Sequence, residues 1–133
     1  MVCPDYLSRQ SELNERMRAI LVDWLIEVHA QFKLIDETLF MAVHLMDRFL
    51  EKRRIKRAQL QLVGIAAMLI ASKYEEIYAP EIHDFVYIAD RAYAPDEIVR
   101  MESIILNELC FKITMPSTLH FVQRYAQIAT TSA

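Results

Sequence analysis

The side chains able to do acid–base, nucleophilic or metal chemistry are few, and their spacing does not suit them to it. Histidines stand at 29, 44, 83 and 120, none paired with another His or a Cys at metal-ligand spacing. Glu75 and Glu76 are adjacent, and on a helix adjacent residues diverge by about 100°, so they do not face one substrate as paired acid/base carboxylates do. The single glycine, Gly64, cannot build a phosphate-binding loop. No nucleophile–base pair or metal set can be assembled from these residues, so the sequence points away from an enzyme and implies neither metal nor cofactor.

The charges that stand out do so for where they fall. Arg18 interrupts an apolar arc among Leu21, Val22 and Leu25, and Asp47 sits beside Phe40, Val43 and Leu50. A lone charge on an apolar stripe is costly unless it is paired, so an Arg18–Asp47 bridge between two helices is the expected solution, and a structural one. Lys73 continues the Ala66–Ile70 stripe, and Glu102 falls between Val99 and Leu106. These two could be a salt bridge closing a helix junction, or charges held at an apolar rim to meet a partner's backbone. Spacing alone favours neither.

The elements that must position these residues are helices. Gly occurs once and Pro four times, at 4, 80, 95 and 116, which suits long helices with tight connections and leaves little room for hairpins. All the prolines but Pro4 can stand at or near a helix start. Apolar periodicity predicts helices over 14–32, 37–53, 57–76, 80–89 and 95–110, with another starting near Pro116. From Leu60 to Ala71 the third reads LQLVGIAAMLIA, with Gln61 its only polar side chain. A helix apolar on nearly every face must be surrounded by others. Gly64, Ala66, Ala67 and Ala71 let those neighbours approach closely. The expected architecture is all-α, a five-helix bundle around a buried helix at about 57–76.

On the first helix, Leu21, Leu25, Val28 and Phe32 form a core stripe. Met17, Ile20 and Trp24 widen it until it meets Glu27 and Gln31, which should see water. Either another element covers that edge, as aromatic stripes usually are covered, or it is an exposed patch marking a protein contact.

The bulk numbers bound the rest. A chain of 133 residues with 54% hydrophobic and 25% charged residues can enclose a core as one domain. A net charge of −3 argues against non-specific nucleic-acid binding. The basic run Lys52-Arg53-Arg54-Ile55-Lys56-Arg57 reads as a solvated turn between helices. Cys3 and Cys110 lie far apart with no secretory signal, so a reducing intracellular compartment is expected, with Cys110 a small core residue. The seven methionines read as core filler, and no apolar run reaches membrane-spanning length without a charge.

These residues fall in strings that resemble the cyclin family, specifically the A/B-type mitotic cyclins. Met17-Arg18-Ala19-Ile20-Leu21-Val22-Asp23-Trp24-Leu25 matches the signature that opens the cyclin box. Glu37-Thr38-Leu39, Asp47-Arg48-Phe49-Leu50, Leu60-Gln61-Leu62-Val63-Gly64, Ala71-Ser72-Lys73-Tyr74-Glu75-Glu76 and Arg100-Met101-Glu102 follow in family order, and the similarity runs from about Tyr6 to Phe121. The resemblance implies a regulatory subunit that binds a cyclin-dependent kinase in nucleus and cytoplasm and holds its C-helix and activation loop in the active arrangement. It implies that Lys73 and Glu102 hydrogen-bond the backbone around the kinase C-helix, with Ile70, Tyr74, Leu106, Phe111 and Ile113 as apolar contacts. It further implies an exposed groove for substrates and inhibitors bearing an Arg-x-Leu motif, built from Met17, Ile20, Leu21, Trp24 and Leu60. Arg57, Glu27 and Gln61 match its polar rim, with Glu27 placed for the motif's cation. Arg18 and Asp47 match an internal pair of the family.

On that basis residues 1–13 are an N-terminal extension, 14–114 the cyclin box, and 115–133 a linker with the start of a truncated second helical box. The family helix preceding Tyr6 is mostly absent, and Ala94 stands where a capping Thr or Ser is frequent. A cyclin-fold adaptor of transcription type that binds nucleic acid or other proteins is the alternative function; the acidic balance and the strings around Lys73 and Glu102 disfavour it. Neither nucleic acid nor membrane is expected as a partner.

Overall fold

A computed structural model describes residues 15–111, and these contain five α-helices and one 3-10 turn. The helices are α1 (Glu15–Gln31), α2 (Asp36–Lys52), α3 (Leu60–Glu75), α4 (Ile82–Ile88) and α5 (Pro95–Glu108), with the 3-10 turn Arg57–Gln59 leading into α3. The expected helix near Pro116, and the segments 1–13 and 115–133, lie outside the described residues.

The order of burial follows from composition. Every residue of α3 from Leu62 to Ser72 is buried, and α3 touches each of the other four helices. Each large aliphatic side chain so enclosed contributes about 1.5–3 kcal/mol relative to exposure. Ser72, the buried polar residue of this helix, donates its hydroxyl to the Met68 carbonyl at 2.7 Å and so adds no unsatisfied group. Small residues set the approach distance: a Cβ placed on Gly64 would meet Leu21 Cδ1 of α1 at 3.1 Å, tighter than ordinary carbon–carbon contact.

The neighbouring helices each give one stripe. Leu21, Leu25 and Val28 of α1, Met41, Ala42, Leu45, Met46, Phe49 and Leu50 of α2, and Ile98, Met101 and Ile105 of α5 are buried. The short α4 contributes Phe85, whose ring meets Phe32 edge-on at 5.4 Å. Pro95 opens α5 at its first position, where a missing amide hydrogen is harmless.

Three expectations need correction. Cys110 is exposed, because α5 ends at Glu108 and Leu109 is the last residue turned inward among the described residues. Cys110 and Phe111 then take left-handed backbone conformation, with the Phe111 amide donating to the Leu106 carbonyl at 2.7 Å. On α2 the core stripe runs through Met41 and Leu45 and leaves Phe40 53% exposed. On α5 it runs through Ile98 and Met101 and leaves Val99 exposed. On α5 the stripe thus lies one position away from the one expected, a rotation of about 100°, whereas on α2 Leu50 is buried as expected, Val43 half-buried, and Phe40 alone turned out.

The basic run turns the chain between α2 and the 3-10 turn, with Ile55 the one buried side chain in it. Lys33, Asp90, Arg91, Cys110 and Phe111 all have positive φ and stand just beyond helix ends, doing work that glycine does in most proteins.

Candidate functional site

Three clusters of side chains rise to the surface around α3. The first joins its C-terminal turn to α5. Lys73 Nζ donates to Glu102 Oε2 at 2.8 Å; the lysine side chain is 53% exposed and the glutamate 12%. An ammonium has three donors and this bond uses one, so the lysine can meet further acceptors while held. Around the pair, Tyr74 and Leu106 are half-buried and Phe111 is exposed. Ile70 is buried beneath them, a support for this rim and not part of its surface. Ile113 lies outside the described residues. Lys73 shares a helix face with the buried Leu69 and Ile70 and is exposed because α3 reaches water at its last turn.

A second cluster lies on α1 and the start of α3. Ile20 is 60% exposed, Met17 and Trp24 are half-buried against the core, and Leu21 and Leu60 are buried. Leu21 rests on Gly64 of α3. The arrangement is a shallow apolar surface with Ile20, Met17 and Trp24 outermost and the two leucines inside. Glu27 and Arg57 are exposed and Gln61 half-buried. Tyr93 adds a tie that nothing in its neighbourhood of sequence announces: its hydroxyl donates to the Ala58 carbonyl at 3.0 Å, pinning the 3-10 turn that carries Arg57. Burial raises the Tyr93 phenol above its usual value, so it stays a donor at neutral pH.

Between α1 and α2, Arg18 reaches Asp47 through two bonds, Nε to Oδ1 at 2.9 Å and Nη2 to Oδ2 at 2.6 Å. This bidentate, partly buried pair joins α1 to α2. Beside it, burial and then the Arg48 charge hold the His44 imidazole below its usual pKa, with Asp47 opposing them. Its Nε2 is enclosed with no hydrogen-bond partner among the described residues.

One cluster had no sequence signal. Glu76, just past α3, accepts the Ile35 amide at 2.8 Å and the Thr38 hydroxyl, both at the start of α2. The partners are 41 and 38 residues away, so no local spacing could have shown it. A carboxylate there also meets the positive end of the α2 dipole. His83 lies 3.2 Å from Glu81 and 3.5 Å from Asp84 and is exposed. Among the described residues no group of three His, Cys, Asp or Glu could hold a metal ion, and no helix is long and apolar enough to cross a membrane.

A helix buried on all sides with four wrapped around it finds its match among known proteins. Residues 1–114 match the family "Cyclin, N-terminal domain". The chain belongs to the cyclin family. The likeness is to its mitotic, A/B-type members. This cyclin is 53% identical over 128 residues to Cyclin-B2-1 of Oryza sativa subsp. japonica, covering 96% of the chain and 30% of the relative. It is 50% identical over 133 residues to the G2/mitotic-specific cyclin-B of Hydra viridissima, covering all of the chain and 34% of the relative. With the G2/mitotic-specific cyclin S13-7 of Glycine max it shares 53% over 125 residues, 94% of the chain and 49% of that protein. The chain thus spans about a third to a half of the relatives it matches. Its fold superposes on a viral cyclin from herpesvirus saimiri with a TM-score of 0.77 at 25% identity, over 82% of this cyclin and 48% of the viral chain. The all-helical bundle around a buried third helix is the one found, and so is the cyclin-box fold that the resemblance implied.

Proposed function

We propose that this chain is the cyclin box of a regulatory subunit that binds and activates a cyclin-dependent protein kinase and recruits Arg-x-Leu substrates to it. The observation that carries the kinase half is the Lys73–Glu102 pair, held at 2.8 Å between the last turn of α3 and the middle of α5 beside Tyr74, Leu106 and Phe111. The lysine end of the pair is 53% exposed and the glutamate end 12%, so one charge is presented to solvent while the other holds it in place. Set beside an apolar rim, the same two charges can accept and donate to the backbone of a docked helix. Activation then follows as a population shift: a cyclin that binds the active kinase conformer better than the inactive one raises the active fraction by that difference.

The recruiting half rests on the α1 surface. Ile20, Met17 and Trp24 offer apolar area to the motif's leucine over the floor of Leu21 and Leu60, and Glu27 is exposed one turn from Trp24 to meet its arginine. A nucleic-acid-binding adaptor is disfavoured by the net charge of −3. Residues 115–133 are in this reading the entry to a second helical box.

The test is a pull-down of this chain with a mitotic-type kinase. Lys73→Ala and Glu102→Ala should each weaken capture at least tenfold while shifting the melting temperature by only a few degrees. Trp24→Ala should weaken binding of an Arg-x-Leu peptide and leave kinase capture intact. Capture that survives both charge substitutions sinks the kinase reading. A Trp24→Ala chain that no longer folds means that the tryptophan belongs to the core.

A further inference from the structure

Only Arg57 of the basic turn between α2 and α3 belongs to the groove rim. Five of the chain's 15 lysines and arginines stand at positions 52–57, with no acidic residue after them until Glu75, although the chain as a whole carries −3. Like charges so concentrated repel one another, and an anion laid across them relieves the repulsion. Lys52 closes α2, where the helix dipole favours a cation. Arg54 and Lys56 have no such reason to be there, and neither takes part in a salt bridge among the described residues. The backbone that carries them is fastened. The Arg53 amide donates to the Phe49 carbonyl at 3.0 Å, the Gln59 amide to the Lys56 carbonyl at 2.9 Å, and the Tyr93 hydroxyl to the Ala58 carbonyl at 3.0 Å. Ile55 is buried while Arg54 and Lys56 on either side of it are exposed, so one side chain anchors the turn and the two cations face outward together.

We infer that Arg54 and Lys56 set specificity for the recruited peptide: they take acidic side chains that follow the leucine of its Arg-x-Leu motif. This rests on the recruiting half of the function proposed above. In that reading Glu27, on α1, meets the motif's arginine, so the residues after the leucine leave the groove on the side away from Glu27, towards the start of α3. Leu60, part of the groove floor, stands three residues after Arg57 and four after Lys56. A 3-10 turn rises about 2 Å per residue and an extended peptide about 3.3 Å, so about the second residue past the leucine reaches Arg57 and the next few reach Lys56 and Arg54. Carboxylates there meet the cations, whereas a basic flank is repelled, so the turn both attracts and excludes. The net charge of −3 disfavours a nucleic acid as the occupant.

The experiment measures, by fluorescence polarisation, how tightly the whole 133-residue chain binds three labelled peptides that share one Arg-x-Leu core. One carries a run of Asp and Glu after the leucine, one carries the same run before the arginine, and one has Ser and Gln on both sides. At about 0.05 M salt the first should bind about three- to tenfold tighter than the neutral peptide, as a few exposed charge pairs allow. At about 0.5 M salt the gain should fall below about twofold. Acids before the arginine should give no gain, because they fall beside Glu27. Arg54→Ala with Lys56→Ala should remove the gain and leave the neutral peptide unchanged. Arg54→Glu with Lys56→Glu should invert the preference, so that a Lys-rich flank binds tighter than an acidic one. Both double variants keep Ile55 in place, and a melting temperature close to the parent's checks that they fold.

An acidic flank that binds no tighter than a neutral one overturns the inference. So does a gain that survives both double variants, or one that acids before the arginine give equally. Displacement of the acidic peptide by a random-sequence oligonucleotide at equal concentration overturns it as well, and assigns the turn to nucleic acid. The groove reading fails separately: a neutral peptide that does not bind, or binds Trp24→Ala as tightly as the parent, removes the Arg-x-Leu site and the role of its flank with it.

Discussion

Gly64→Val should destabilise this cyclin by about 2 kcal/mol, and the reason is a single distance. A Cβ at Gly64 would lie 3.1 Å from Leu21 Cδ1 and 3.3 Å from Leu21 Cδ2, against about 3.5–4.0 Å for carbon atoms in contact. The shortfall is about half an ångström before any γ-methyl is added. Alanine alone can be met by rotation of the leucine end. Its gain in helix propensity, about 1 kcal/mol over glycine, offsets most of the crowding, so Gly64→Ala should stay within about 1 kcal/mol of the parent. Valine adds two rigid methyls that cannot turn away within a helix, and Leu21 is only 6% exposed, with Leu25 fully enclosed beside it on α1. Overpacking of this kind costs about 1–3 kcal/mol, against a propensity gain of about 0.4 kcal/mol. For a domain of this size the net loss lowers the melting temperature by about 8 °C. Thermal and urea unfolding followed by circular dichroism measure it, with Gly64→Ala alongside. The same substitution should disturb the α1 surface, since the displaced side chain is its floor. A Gly64→Val chain as stable as the parent refutes the close approach of α1 to α3 on which the argument stands.

Two further outcomes follow from particular groups. Ala94 precedes α5 with no side-chain cap, although Glu97 accepts the Ala94 amide at 3.0 Å; Ala94→Ser supplies the missing acceptor and should add about 0.5–2 kcal/mol in urea unfolding, whereas no gain means the helix start is already satisfied. His44 is held below the ordinary histidine value of about 6.5 by burial and then by Arg48, so the unfolded chain binds the proton more readily than the folded one. Stability from this site is complete above about pH 6.5 and is lost as pH falls from there towards the folded value. Urea midpoints should therefore drop between pH 7.5 and 5.5, and His44→Gln should flatten the slope; an unchanged slope assigns the effect to other groups.

Much of the architecture was legible because helices write themselves in period. The run Leu60–Ala71 announces a helix enclosed on all sides, and Lys73 and Arg18 announce themselves as charges out of place on apolar stripes. Their partners Glu102 and Asp47 were findable by the same rule. Phe40 and Val99 show its resolution: a fraction of a turn leaves a large side chain in water, and only the neighbouring helices decide which way the stripe points. Cys110 was misplaced because small apolar residues go inside on average, while its position past the last turn of α5 is set by where the helix stops. Leu21 and Leu60 belong to the expected groove but lie under it, since packing against α3 decides depth and periodicity does not. The Glu76 staple and the Tyr93 bond were out of reach, because each joins loop or terminal residues that come together only after the bundle has formed.

The five non-glycine residues in left-handed geometry have a consequence for how this protein could change. Each such residue gives up about 1–2 kcal/mol that glycine would not, and each stands at an exposed corner outside the core. A reserve of stability is therefore stored in the bends of the chain. Descendants could draw on it one corner at a time, absorbing damaging substitutions elsewhere without altering a single buried contact.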